Sequence, residues 1–252
     1  MLQKRIIPAL LLRDRALVKT VKFDKYGYIG DPINTVRIFN ELEVDELIFL
    51  DILASRLNTK PDFNILEEIA DECFMPLSYG GGIRDLEDMK TIFSIGFEKI
   101  AINTYAMENP GFISMAADKF GNQSIIGSID IKKNLLGKYD VFVIDGTKKI
   151  KKNPVEWAIE LERLGAGELL ITSIDRDGTW NGYDTDIIHK ITSKVNIPVI
   201  ANGGAGKVEH IYDVINSGGA SAVALGSMVV YQAKDMGVLI NFPDRELLSN
   251  RI

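Results

Sequence analysis

Eight short runs of aliphatic and β-branched residues recur along the chain: KRIIPALLL (4–12), DELIFLDIL (45–53), MPLSYGG (75–81), EKIAINT (98–104), SIIGSIDI (124–131), GELLITSID (167–175), IPVIANGG (197–204) and SAVALGS (221–227). They are mostly apolar, the pattern of strands buried on both faces, and most run out into Gly, Asn, Ser or Asp. Between them lie segments with helical spacing of apolar residues, such as DPINTVRIFNELEV (31–44), LEDMKTIFSIGF (86–97) and PVEWAIELERLGAG (154–167). Asp31 before Pro32 reads as an N-cap followed by an early helical position. Strands alternating with about eight helices over a chain of this length have the rhythm of a (β/α)8 TIM barrel. An open doubly wound sheet would be signalled by G-x-G-x-x-G after the first strand, and the chain has none there.

An internal repeat supports a barrel of two halves, about 1–121 and 122–252, forming one domain. VDELIFLDILAS resembles AGELLITSIDRD, and MPLSYGGGIRDLEDMKTIFSIGF resembles IPVIANGGAGKVEHIYDVINSGG. Glu46 matches Glu168, Asp51 matches Ser173 and Gly81 matches Gly203, each pair 122 positions apart. The same repeat sets IPALLLRD against IGSIDIKK, so that Leu11 in the first half stands opposite Asp130 in the second. Both fall at the carboxyl end of a strand, the face on which barrel enzymes carry their chemistry.

Two glycine-rich strand ends also correspond, YGGGI (79–83) and NGGAG (202–206), as do the next strand ends, INT (102–104) and LGS (225–227). Backbone N–H groups beside Thr104 or Ser227 at a helix start would cradle phosphate; the alternative is tight turns that need glycine. Finding the pattern twice favours phosphate, and a ligand with a phosphate at each end. Asp51 and Asp177 read equally as ribose-binding carboxylates or as turn formers. Lys19 opens a long loop, KTVKFDKYGYIGDP, whose Gly and Tyr content suits a mobile lid; the lysine reads either as a phosphate ligand or as a solvated side chain. The segment KYDVFVIDGTKKIKK (138–152) reads as a hairpin around Asp145-Gly146 with solvated lysines.

A charged set lies at the opposite strand ends: Arg5, Glu46, Lys99 and Glu168 each precede an apolar run. Arg5 and Leu11 share strand parity and so face the axis, about 20 Å apart at ~3.3 Å per residue. From the residues alone, a mutually neutralising plug is the favoured reading over a gate that opens.

Composition narrows the partners. A net charge of −6 gives no electrostatic reason to expect nucleic acid. The lone cysteine, Cys73, forms no internal disulfide and fits a reducing cytoplasm, and two histidines without a Cys or His cluster argue against a metal site. The apolar run Ile6 to Leu12 is too short to span a bilayer, so no membrane role is expected.

The ordered motifs KRII, GDP, DELIFLDI, GGGI, INT, LLITSIDRDGT, GYDT and GGAGK, spread over almost the whole chain, resemble the cyclase subunit of imidazole glycerol phosphate synthase. The resemblance implies no cofactor and a heterodimer with a glutaminase on the amino-terminal barrel face. Ammonia would pass a gate at Arg5, Glu46, Lys99 and Glu168, reversing the plug reading, and reach a ribulosyl-ribosyl bisphosphate. It implies phosphate sites at Gly82, Asn103 and Thr104 and at Gly178, Gly204, Gly226 and Ser227. It also implies two catalytic aspartates; Asp130 is one, but the other position is Leu11, which cannot transfer a proton. With Pro243 interrupting the tail where the family has a helix, the chain resembles a paralogous branch that supplies ammonia for sugar amidation in surface-polysaccharide synthesis, with a separate sugar amidotransferase as a further partner. The alternatives are a genuine cyclase/lyase of histidine biosynthesis, forming imidazole glycerol phosphate and aminoimidazole carboxamide ribotide, and a barrel with a new ligand such as a sugar nucleotide.

Overall fold

The computed structural model describes residues 4–244 and Leu248. All eight apolar runs form strands: β1 (Arg5–Arg13), β2 (Leu47–Asp51), β3 (Leu77–Gly80), β4 (Lys99–Ile102), β5 (Ile125–Lys133), β6 (Glu168–Ser173), β7 (Val199–Asn202) and β8 (Ala222–Leu225). Each pairs in parallel with the next, and β8 pairs back onto β1, closing a (β/α)8 barrel. The runs are apolar on both faces because both faces are covered. Ile6, Leu10 and Leu12 of β1 pack outward under the helices, whereas Ile7 and Ala9 join Ile48, Ala101, Ile126, Leu170, Ile200, Ala222 and Ala224 in a separate layer inside the barrel.

The helices obey local signals. Asp31 Oδ1 accepts from Asn34 N–H at 2.8 Å and Pro32 opens helix Pro32–Glu41. Asp85 caps Leu86–Ile95 and Asn153 caps Pro154–Leu164 in the same way, each satisfying an orphan N–H of the first turn. After β8 the four-residue helix Ser227–Val230 follows, and Tyr231 then bridges to Val238. The end of the tail, 245–247 and 249–252, lies outside the described residues.

The strand ends that carry Leu11 and Asp130 occupy equivalent places in the two halves. Leu11 is paired with Leu50 of β2, and Asp130 with Thr172 of β6, positions that themselves correspond across the repeat. β1 and β5 each run beyond the barrel into an antiparallel hairpin. The one on β5 (strands Tyr139–Val143 and Lys148–Ile150) follows the sequence expectation, with Lys148 and Lys149 exposed.

The segment after β1 corrects the expectation of a long loop: Ala16–Thr20 pairs with the end of β1 and with Tyr26–Gly30. Its reversal uses Asp14 and Arg15 at φ 50° and 63°, a tight turn without glycine and therefore without the usual sequence mark. Once paired, Leu17 and Val18 are buried, so the strand belongs to the barrel's rim.

Candidate functional site

The mouth of the barrel holds a cavity lined from the barrel strands by Leu11, Asp51, Ser128, Asp130, Thr172 and Asn202, and from the segments above by Lys19, Gly82, Asn103, Thr104, Asp145 and Asp177. Asp130, nearly fully buried, accepts a 2.8 Å hydrogen bond from Asn103 Nδ2. Burial raises its pKa to about 7; Asp145 and Asp177 push the same way, and the Asn103 bond offsets only part. A carboxyl that is half protonated near neutrality can give or accept a proton, the property required of a general acid or base. Leu11, in the equivalent place, lines the cavity with a methyl surface.

Gly82 takes φ +70°, and a Cβ there would lie 2.6 Å from the Thr59 carbonyl, so glycine is needed for the backbone to approach. It lines that cavity together with Asn103 and Thr104. Gly178, Gly204, Gly226 and Ser227 lie on the β6–β8 side, outside the wall of that cavity. There the Lys19 side chain lies so close over Gly226 that a Cβ would collide with its ammonium.

Lys19 is therefore not a solvated loop lysine. It is buried on a strand, donates to the Ala9 carbonyl at 3.3 Å, and its pKa is lowered by burial, with Asp177 opposing. Asp51 and Asp177 both serve as structural acceptors. Asp51 Oδ1 takes the N–H groups of Leu53 and Ala54 at 2.8 and 2.9 Å, fixing the turn after β2. Asp177 Oδ2 accepts from the Thr20 hydroxyl at 2.6 Å, tying the first hairpin to the loop after β6.

At the opposite end, the floor set forms one closed circuit. Arg5 bonds both Glu46 (2.6 Å) and Glu168, and Lys99 reaches Glu168 at 3.0 Å and Glu46 at 3.5 Å. Ser78 Oγ adds a 3.0 Å bond to Glu46, a residue that sequence reasoning passed over because a serine within an apolar strand carries no signal. Asp145 was passed over as a site residue for a different reason: Asp-Gly marks a turn, and nothing local says where the turn folds. Burial raises its pKa to about 6 against the opposing charges of Arg56 and Arg13.

Among the described residues no helix is long and apolar enough to cross a membrane. Comparison with known proteins agrees with the geometry. A family model described as histidine biosynthesis protein matches residues 5–235. A Pseudomonas aeruginosa protein provisionally named imidazole glycerol phosphate synthase subunit hisF2 is 52% identical over 97% of both chains. A Leptospira borgpetersenii protein, provisionally named as the HisF subunit, is 48% identical over 98% of this chain and 99% of its own. The imidazole glycerol phosphate synthase subunit HisF of Alkaliphilus metalliredigens, named without that qualifier, is 42% identical over 92% of each. With a closed barrel, a carboxyl at its mouth and relatives matched over nearly their whole length, the chain belongs to the histidine biosynthesis protein family, as a barrel of the kind found in the cyclase subunit of imidazole glycerol phosphate synthase.

Proposed function

We propose that this barrel takes ammonia from a glutaminase subunit docked on its amino-terminal face and delivers it at the mouth for amidation of a sugar in surface-polysaccharide synthesis, in the cytoplasm, with a separate sugar amidotransferase activating the acceptor. The observation that carries the reading is the Arg5–Glu46–Lys99–Glu168 circuit beneath the apolar layer of Ile7, Ala9, Ile48, Ala101, Ile126, Leu170, Ile200, Ala222 and Ala224, above which lies a mouth where Leu11 stands in place of one aspartate. An apolar layer of this kind favours neutral ammonia over ammonium, since an isolated charge in such surroundings is costly. Four charges that neutralise each other add little net stability, so strength alone does not account for the circuit.

Lys99→Ala tests the gate. Arg5 still bridges both glutamates in this variant, so the fold is expected to persist. In the reconstituted glutaminase complex, glutamine-driven product formation is expected to fall while ammonium-driven formation stays; an unchanged ratio of the two would count against a gate.

Genuine cyclase activity on a ribulosyl-ribosyl bisphosphate is the second reading. It is favoured by the Gly82–Asn103–Thr104 wall, which ammonia passage alone does not require. Anion binding at the mouth belongs to this second reading, and Lys19, buried with a carbonyl as its hydrogen-bond acceptor, is a cation of the cavity that would meet the anion. Lys19→Met is expected to weaken inorganic phosphate binding by about tenfold, the loss of a charge-assisted hydrogen bond worth roughly 1.5 kcal/mol. Calorimetric titration measures this, and equal affinities would remove Lys19 from the site.

A further inference from the structure

The hairpin that prolongs β5 brings a second carboxylate to the mouth. Asp145 lies in its turn with a side chain only 15% exposed and lines the same cavity as Asp130. The turn is held from two sides. Thr104 Oγ1 accepts from the Ile144 N–H at 3.0 Å, and Phe23, from the tip of the first hairpin, lies so close that a Cβ on Gly146 would be 2.9 Å from its ring. Ile144 and Asp145 both sit at φ 53°, a conformation that is costly for a β-branched residue and that these contacts maintain. The charges facing Asp145 are Arg56, 4.0 Å away, together with Arg13 and Asp177; those facing Asp130 are Asp145 and Asp177.

We propose that Asp145 is the second proton-transfer residue of the mouth, working with Asp130 where Leu11 offers no ionisable group. This rests on the reading that ammonia emerges there. When ammonia adds to an electrophilic C=O carbon, the C–N bond forms from the nitrogen lone pair and the π pair moves to oxygen. The ionised carboxylate takes a proton from the new ammonium nitrogen, and the protonated carboxyl gives its proton to the oxygen. The pair exchanges protonation states, so the step balances without a further reactant. Both carboxyls come from the β5 side. They therefore serve a single reacting centre rather than bracketing an extended substrate from β1 and β5. An acceptor with one electrophilic carbon, such as the amide or carbonyl of a sugar derivative, fits that arrangement.

Asp145→Asn is the test variant, because Asn tolerates the left-handed turn that this position adopts. Carboxyl ¹³C NMR titration of the full chain is expected to show the Asp130 midpoint shifting downward by roughly half a pH unit or more when Asp145 is neutralised. An unmoved midpoint would overturn the pair. The second arm compares Leu11→Asp with the double variant carrying Asp145→Asn, using ammonium and ribulosyl-ribosyl bisphosphate as probes. A displaced pH–rate profile supports the pair, and superimposable profiles count against it. If Leu11→Asp is itself inert, the mouth does not accept that bisphosphate and the cyclase reading fails, while the titration alone decides the pair.

Discussion

Leu11→Asp is expected to raise ammonium-dependent turnover of the ribulosyl-ribosyl bisphosphate by about 10²- to 10⁴-fold, equivalent to roughly 3–5 kcal/mol of barrier. The register argues for the size of the effect. Leu11 pairs with Leu50 as Asp130 pairs with Thr172, so a carboxylate at position 11 would enter the cavity across from Asp130, with both on strands of a rigid barrel. A proton-transfer group held on rigid strands needs little reorganisation to act, and its absence removes the contribution almost wholly. Initial rates at saturating ammonium measure the gain. Wild-type turnover equal to that of the variant would show that Leu11 is not what separates this mouth from a cyclase. It would direct attention to the second reading and to Asp145 as the existing second acid.

Asp130→Asn is expected to stabilise the protein, and to do so increasingly as pH rises. The folded pKa of about 7 stands above the ordinary 3.8 because burial disfavours the charge. Between these two values the folded chain keeps a proton that the unfolded chain has lost, so stability falls as pH rises through the window and levels off above it. The Asn variant has no such proton to lose, and its amide oxygen can still accept the Asn103 hydrogen bond. Its advantage should grow from about 1.5 kcal/mol at pH 5 to about 4 kcal/mol at pH 8, at ~1.4 kcal/mol per pH unit. For a chain of this size that corresponds to roughly 8–16 °C in Tm at the higher pH. Denaturant titrations at both pH values check it, and a gap independent of pH would mean that Asp130 is not destabilised by its burial.

Asp145, Lys19 and the floor circuit mark how far a linear reading reaches. The floor charges were legible because each stands at the start of an apolar run, and for Arg5 the strand parity shared with Leu11 dictates the side of the sheet on which it lies. The ion pairs then follow from closure of the barrel: Arg5 and Glu168 are 163 positions apart and meet only because the barrel brings β1 and β6 to face a common axis. Lys19 was read as loop because its turn, Asp14-Arg15, lacks glycine, and it became a buried cation once the strand paired with β1. Asp145 was legible as a turn residue and no more. Its approach to Asp130 depends on β5 continuing beyond the barrel and on the Thr104 and Phe23 contacts that hold the turn over the mouth.

The sequence by itself determined the eight barrel strands, the Asp31 helix cap, the repeat and the presence of Leu11 where the second half carries a carboxylate, because these depend on short-range periodicity and on the identity of single residues. Only the tertiary structure decided which carboxylates share a cavity, which lysine lies buried beside it and how far burial displaces the ionisation of Asp130. Each of these depends on how much water is excluded and on which charges from distant segments remain nearby, and closure of the chain sets both.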